Sequence, residues 1–358
     1  MDVDLKNRFL LRDNLLILHL TDWCNNRCGF CMVDKIHGSF SFPYERVLAL
    51  ANALPAGAKV DLFGGEPTLH PQFFEILAHL HEKEMDCSVA SNGRAFSSRS
   101  FTQRVAKITE RSLYVRTSLY GLTAEEHDRA TSVPGSYEEL MAGIDNIAAA
   151  KLLCQINVVI TKNNITKLDK IARLIVRKGV KRIKFGLLVD SSSCLDIVPA
   201  LAEVRTKLID AVRYAREKGL RVTIEKAPFC LMPEFMNEFS TERDLGQWAR
   251  FFADSGECGE CYMRKWCDGL DPDYAKAFGS EGIARIVKVP DVVLKGFPGK
   301  VEGAKVQFLK FNLYRLPDNS FPEDRCKEII SGIIDEGRRK FARVAFVPDS
   351  MTQRQGTN

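Results

Sequence analysis

Apolar residues recur along this chain with two different periods, and the two alternate. Short leucine-rich and β-branched runs at 15–20, 59–63, 87–90, 113–118, 155–160, 182–188 and 220–225 have the length and composition of strands. Between most of them lie stretches such as 71–83, 167–178 and 201–218, where apolar positions return every three or four residues, as in a helix with one buried face. Thr123 with Glu126, and Ser136 with Glu139, have the spacing of capping boxes and mark two helix starts.

Strand, helix, strand in regular succession predicts a parallel sheet wound by right-handed crossovers. Six or seven such units fall short of a closed eight-fold barrel, so the expected fold is α/β, a partial (β/α)6-type barrel. Ligands of such sheets sit at the carboxyl ends of the strands. After about residue 225 the alternation stops. A loop-rich stretch with Pro228, Pro233 and four cysteines runs to about 276, 291–313 reads as one or more strands, and 322–342 as a terminal helix with a basic end. The tail from 349 to 358 reads as frayed. This predicts a barrel over 12–225, a C-terminal cysteine-rich domain over 226–290 and a strand-helix extension over 291–358.

Composition narrows the picture. With 358 residues, 45% apolar and 27% charged, the chain is long enough for a large core and has the makeup of a globular protein. Its excess of 51 basic over 46 acidic residues is too small to point to nucleic acid. Met1-Asp2-Val3-Asp4 lacks the order of a signal peptide, and no apolar stretch is long enough to span a bilayer, so a cytoplasmic protein without membrane association is expected. In that compartment the eleven cysteines read as metal ligands or free thiols, not disulfides. Cys24, Cys28 and Cys31 cluster early; Cys258, Cys261 and Cys267 cluster late. Cys87 and Cys154, in or beside strands, read as small buried apolar residues, and Cys326 falls in the terminal helix.

The early cluster lies in Thr21-Asp22-Trp23-Cys24-Asn25-Asn26-Arg27-Cys28-Gly29-Phe30-Cys31, on the loop leaving the first strand. A structural zinc site is a closed set of four ligands, which His37 or His19 would have to complete; three thiols alone leave a metal position open. The strand 59–63 runs into Gly64-Gly65-Glu66-Pro67, where two glycines let backbone approach a ligand and Glu66 offers a carboxylate suited to an ammonium group. Ser91-Asn92-Gly93 ends the third strand and Ser118-Leu119-Tyr120-Gly121 the fourth, placing polar groups fit for a ribose on the same sheet edge. Each is an ordinary turn by itself, but four such motifs on four successive strand ends form a pattern.

In these motifs the sequence resembles the radical S-adenosylmethionine (SAM) enzymes, over about residues 12–225. Cys24, Cys28 and Cys31 are similar to that family's Cys-x3-Cys-x-aromatic-Cys loop, and Gly64, Gly65, Glu66 and Pro67 to the stretch that holds the methionine amino group. Ser91, Asn92 and Ser118 fall where the family contacts the ribose and carboxylate of SAM. The resemblance implies a 4Fe–4S cluster held by the three thiolates, with SAM on the fourth iron. It implies reductive cleavage of SAM to a 5′-deoxyadenosyl radical that abstracts hydrogen from a substrate, and an electron donor such as flavodoxin or ferredoxin. One position departs from the family. After His127-Asp128 many relatives carry an arginine that binds the SAM carboxylate, and here Thr131 stands in its place, with Arg129 nearby.

The late run Cys258-x2-Cys261-x5-Cys267 resembles part of the auxiliary-cluster extension called SPASM or, when shortened, twitch. Where the complete pattern has a further cysteine the chain reads Asp268-Gly269-Leu270-Asp271, so the resemblance implies one auxiliary 4Fe–4S cluster on Cys230, Cys258, Cys261 and Cys267. Four cysteines are equally a zinc-site composition. Cys194, after Ser191-Ser192-Ser193, is a candidate catalytic residue that would donate a hydrogen atom to a product radical; a loop thiol without a role is the alternative. Peptide-modifying relatives usually carry a separate leader-binding module, and about 14 residues precede the first strand here, so a small-molecule substrate in natural-product or cofactor biosynthesis is expected. A peptide maturase is the alternative, and a zinc-stapled binding protein without catalysis a third class.

Overall fold

All seven strands expected from the sequence form, and they pair in sequence order. They are β2 (Leu15–His19), β3 (Lys59–Phe63), β4 (Asp86–Ala90), β5 (Tyr114–Ser118), β6 (Leu153–Ile160), β7 (Arg182–Leu187) and β8 (Arg221–Glu225), each parallel to the next. The computed structural model describes residues 9–12, 14–31, 40–188, 194–240, 252, 257–261, 263–264, 267, 269–284, 286, 307–310 and 344–347. A further strand, β1 (Phe9–Arg12), precedes β2 and pairs with it antiparallel. The strands β9 (Gln307–Lys310) and β10 (Val344–Val347) pair with each other in parallel, and β10 joins the free edge of β1. The rest of the expected 291–313 strand region, the helix expected over 322–342 and Cys326 lie outside the described residues.

The seven parallel strands are connected by helices α1 (Tyr44–Asn52), α2 (Phe73–Glu82), α3 (Arg99–Ile108), α4 (Ala124–Thr131), α5 (Ser136–Ala149), α6 (Leu168–Arg177) and α7 (Leu201–Glu217). Because the strand order never reverses, right-handed crossovers place all of these helices on one face of the sheet. α6 shows how the sequence supplies that contact: Leu168, Ile171, Ala172 and Ile175 recur at helical spacing and all are buried. The strands answer with the other period. Val60 and Leu62, Ile183 and Phe185, and Val222 and Ile224 are buried, whereas the alternate positions Asp61, Ser88, Arg116, Lys184 and Glu225 lie on the opposite face and are only partly so. That second face is polar and internally paired. Asp61 takes Arg116 and the Ser88 hydroxyl (2.9 Å), and Lys184 meets Glu225 at 2.8 Å.

The two expected capping boxes fare differently. Thr123 Oγ1 accepts the Glu126 N–H at 3.3 Å, and Glu126 reaches back to the Leu122 N–H at 2.8 Å. Ser136 does not cap α5. Gly135, with φ of 82°, takes that place, because the Ser136 hydroxyl is drawn to Asp128 Oδ1 (2.8 Å) and Thr131 Oγ1 (2.7 Å). Within the stretch read as loop, α8 (Pro272–Phe278) is helical, with Asp271 capping the Tyr274 N–H at 3.0 Å and proline in the first turn.

After β8 the chain turns through two short 3-10 segments and comes back along that strand, where Phe239 bridges Ile224. The rim at the carboxyl ends of β2 to β8 is therefore where the cysteine loop, the Gly-Gly-Glu-Pro turn and Cys230 all emerge. Among the described residues, no helix is long and apolar enough to cross a membrane.

Candidate active site

The cysteine loop is seated directly on the turn after β3. Gly65 N–H donates to Thr21 O and Glu66 N–H to Trp23 O, both at 2.6 Å. No side chain fits between these backbones. A Cβ on Gly65 would stand 2.3 Å from Trp23 O, and one on Gly64, whose φ is 139°, 2.6 Å from Thr21 O. The two glycines therefore let β3's exit hold the three residues that lead into Cys24.

Glu66 is buried, 1% exposed, and both of its oxygens are engaged. Oε1 accepts the Thr68 N–H (3.2 Å), the Thr68 hydroxyl (2.6 Å) and the Ser91 hydroxyl (2.8 Å); Oε2 accepts the Asn92 N–H (2.6 Å). Burial pushes this carboxyl above its ordinary range, and the donors from Thr68, Asn92 and Ser91 pull it back. The group expected to receive an ammonium thus spends its acceptor capacity on joining the turn after β3 to the turn after β4. Asn92 carries the connection onward, donating from Nδ2 to Asn25 Oδ1 at 2.6 Å and lying 4.0 Å from Cys24 Sγ.

Cys24 and Cys28 are half-buried and Cys31 is exposed. The Cys28 thiol is pushed up to about 12, by burial first and then by Cys31 and Cys24. Cys24 is raised as well, again chiefly by burial, although the Asn26 N–H donates to its sulfur at 3.3 Å. Three thiols that oppose one another's ionisation become thiolates together only against a positive centre, which is the donor set an iron–sulfur cluster requires. Among the described residues no three His, Cys, Asp or Glu side chains are gathered tightly enough to hold a single metal ion. His19, one candidate to complete a zinc site, is buried, and its Nε2 faces Asp22 Oδ1 at 2.7 Å; His37 lies outside the described residues.

Beside the loop lies a cavity of about 420 Å³, lined among others by Phe30, Tyr120, Arg129, Thr161, Asn163 and Cys194. Tyr120 organises its floor. Its ring meets Phe30 edge-on at 5.1 Å and stacks on His127 at 5.4 Å. Ser118 ends β5 at the same rim and is partly buried. The segment from Val159 to Asn164 forms one wall and was not singled out in the sequence. Its local signal is Asn164, which accepts the Thr161 N–H at 2.9 Å and donates to the carbonyls of Val159 and Tyr120. Cys194 is buried on the cavity wall with Sγ 4.0 Å from Gly29 O. Where relatives carry arginine, Thr131 is fully buried, and its carbonyl accepts the Arg27 N–H of the cysteine loop at 2.8 Å. Arg129 lines the cavity and is mostly exposed, paired with Glu125 one turn earlier.

Of the late cysteines, Cys230 has Cys258 and Cys261 close enough to raise its thiol, which burial raises most. Cys267 is buried and accepts the Gly269 N–H at 3.3 Å. Cys87 and Cys154 are buried strand residues, as expected.

A parallel sheet with helices on one face and a three-thiol loop at its carboxyl rim defines the class: residues 18–175 match the radical SAM superfamily, and the chain carries a radical SAM domain. Among its relatives are the AdoMet-dependent heme synthase of Nitratidesulfovibrio vulgaris, 27% identical over 179 residues (49% of this chain, 48% of that protein), and the mycofactocin maturase MftC of Mycobacterium tuberculosis, 29% identical over 175 residues (49% and 44%). The chain spans about half the length of the curated relatives it matches. Among solved structures, Streptococcus suis SuiB bound to S-adenosylmethionine shares the fold, with a TM-score of 0.55 and 17% identity over 79% of this chain and 78% of that one. SuiB bound to its precursor peptide SuiA gives a TM-score of 0.51 at 19% identity, covering 62% and 50%.

Proposed function

We propose that this protein is a radical SAM enzyme in which Cys24, Cys28 and Cys31 hold a 4Fe–4S cluster and the adjoining rim holds SAM. The observation that carries the reading is the continuous set of contacts at that rim. The Gly64–Pro67 turn grips the residues before Cys24 through two backbone hydrogen bonds, and its Glu66 carboxylate holds Ser91 and Asn92. When bound, the cluster and SAM supply reductive cleavage to a 5′-deoxyadenosyl radical able to take hydrogen from an unactivated position. The chain's own part is placement. Gly64 and Gly65 bring bare backbone to the loop, Glu66 fixes the Ser91-Asn92 turn, and Phe30 and Tyr120 line a cavity of a size that suits an adenosine and shields it from water.

The substrate in this reading is a small molecule in cofactor or natural-product biosynthesis. The similarity to heme synthases supports it, as does the paired, polar second face of the sheet with Asp61, Arg116, Lys184 and Glu225. A peptide substrate is the second reading, and the fold shared with SuiB, solved with its precursor peptide, is the observation that favours it. In either case Cys230, Cys258, Cys261 and Cys267 would hold one auxiliary 4Fe–4S cluster, with zinc as the alternative, and a flavodoxin- or ferredoxin-type donor would supply electrons.

Anaerobic reconstitution tests the reading. The wild-type chain should carry about eight irons if both sites hold 4Fe–4S clusters, and changing Cys24, Cys28 and Cys31 to Ala should remove about half of them together with all SAM cleavage. Production of 5′-deoxyadenosine by that triple variant under reductant would overturn it.

A further inference from the structure

Arg94 and Glu139 pair between the turn after β4 and helix α5, and neither has a part in the site described above. Arg94 is largely buried, its side chain 15% exposed, and it uses the two ends of its guanidinium in different directions. Nε donates to Glu139 Oε2; Nη1 donates to Asn25 O and to Asn26 Oδ1 (3.0 Å), inside the short loop between Cys24 and Cys28. The turn that carries Arg94 is itself pressed onto α5. A Cβ on Gly143 would stand 2.4 Å from Gly93 O, and Asn146 Nδ2 donates to the carbonyls of Phe96 and Ser97 at 2.9 and 2.8 Å. Glu139, Gly143 and Asn146 follow one another at four- and three-residue steps, so one stripe of α5 serves as the seat.

We propose that Glu139 and Arg94 form a positioning arm that presets the loop between Cys24 and Cys28 for its cluster. This rests on the reading of the three cysteines as cluster ligands. The spacing of two thiolates across Asn25, Asn26 and Arg27 depends on the path of that backbone, and ordering it in advance removes a conformational cost from cluster binding. Arginine suits the task because its planar fork donates to a carboxylate and to the loop at once, which a single ammonium does with poorer geometry. Glu139 has the spacing of a capping residue for Ser136, and the structure employs it here instead.

Four variants test the arm in the full chain: Arg94→Ala, Glu139→Ala, Arg94→Lys and the charge swap Arg94→Glu with Glu139→Arg. Each is reconstituted under limiting iron, with a thermal unfolding midpoint as the fold control. Occupancy of the early site is read from the SAM-induced change in the reduced cluster's electron paramagnetic resonance spectrum. The Ala variants should lose occupancy several-fold, and Arg94→Lys should lose less. The swap keeps an ion pair between the turn and α5 but removes the donor to Asn25 and Asn26. It should recover the unfolding midpoint without recovering occupancy. Wild-type occupancy in both Ala variants, or full recovery of occupancy in the swap, overturns the arm. A wild-type chain with no cluster on Cys24, Cys28 and Cys31 overturns the underlying reading and the arm with it.

Discussion

Glu66 Oε2 accepts the backbone N–H of Asn92 at 2.6 Å, so one buried carboxylate joins the exits of two neighbouring strands. Removing it would leave the partly buried N–H groups of Asn92 and Thr68 without their acceptor. Glu66→Ala should therefore lower the stability of the domain by about 3 kcal/mol and weaken SAM binding together. Urea unfolding and a SAM titration on the reconstituted protein check it. Weaker SAM binding at unchanged stability would instead assign the carboxylate to the ligand's ammonium group.

Gly65→Ala puts a methyl group where Trp23 O stands, 2.3 Å from the ideal Cβ position. The backbone of the cysteine loop must then shift. The seven-stranded core does not depend on this contact, so far-ultraviolet circular dichroism should stay close to wild type while iron at the early site falls severalfold. Full iron loading in the variant would show that the close approach of the two turns is dispensable.

His127 titrates below the ordinary imidazole range. Burial lowers its pKa from the ordinary 6.5 to about 4, although Asp128 pulls upward. Its Nδ1 accepts the Tyr120 N–H at 3.3 Å, a role only the neutral ring can fill. The unfolded chain takes up this proton near pH 6.5 and the folded one only near 4, so the folded state binds fewer protons between them. Stability should fall as pH drops through that window, by up to about 3 kcal/mol, and level off below it. His127→Gln should flatten the slope of the urea midpoint against pH; a variant with the wild-type slope would refute the assignment.

Cys258→Ala combined with Cys261→Ala separates an auxiliary cluster from a zinc site. Loss of about half the iron, with slow substrate-free SAM cleavage preserved, is expected for the cluster. A wild-type preparation holding about four irons and one zinc would identify a structural site.

Much of the fold was legible because the barrel repeats one local unit. Strand 59–63 was readable to the residue, and the others to within about two, since alternating and helical apolar periods are set by neighbours along the chain. Short signals competed where a tertiary partner was on offer. Ser136 and Glu139 have capping-box spacing, yet Asp128 and Thr131 claim the serine and Arg94 claims the glutamate, because buried hydroxyls and charges take the partners that folding brings nearest. At the cavity wall from Val159 to Asn164 the one local signal, Asn164, marks a turn after β6 and not a site, and the segment lines a cavity only because Phe30 and Tyr120 line it too.

The sequence by itself determined the order and type of the barrel elements, and it marked the thiols, glycines and carboxylate on which the proposed chemistry rests, because these are set by residue identity and spacing. The tertiary structure decided what those residues do to one another. Glu66 ties Ser91 and Asn92 to Thr68, Thr131 anchors Arg27, and Arg94 reaches from the β4 exit into the cysteine loop. Apart from the local Thr68 bond, these contacts join positions far apart in the chain, with Asn25 and Arg94 separated by 69 residues. No local period encodes such a pairing. It exists because parallel strands in sequential order deliver all their carboxyl ends to one rim, and burial there makes each polar group's satisfaction depend on its neighbours.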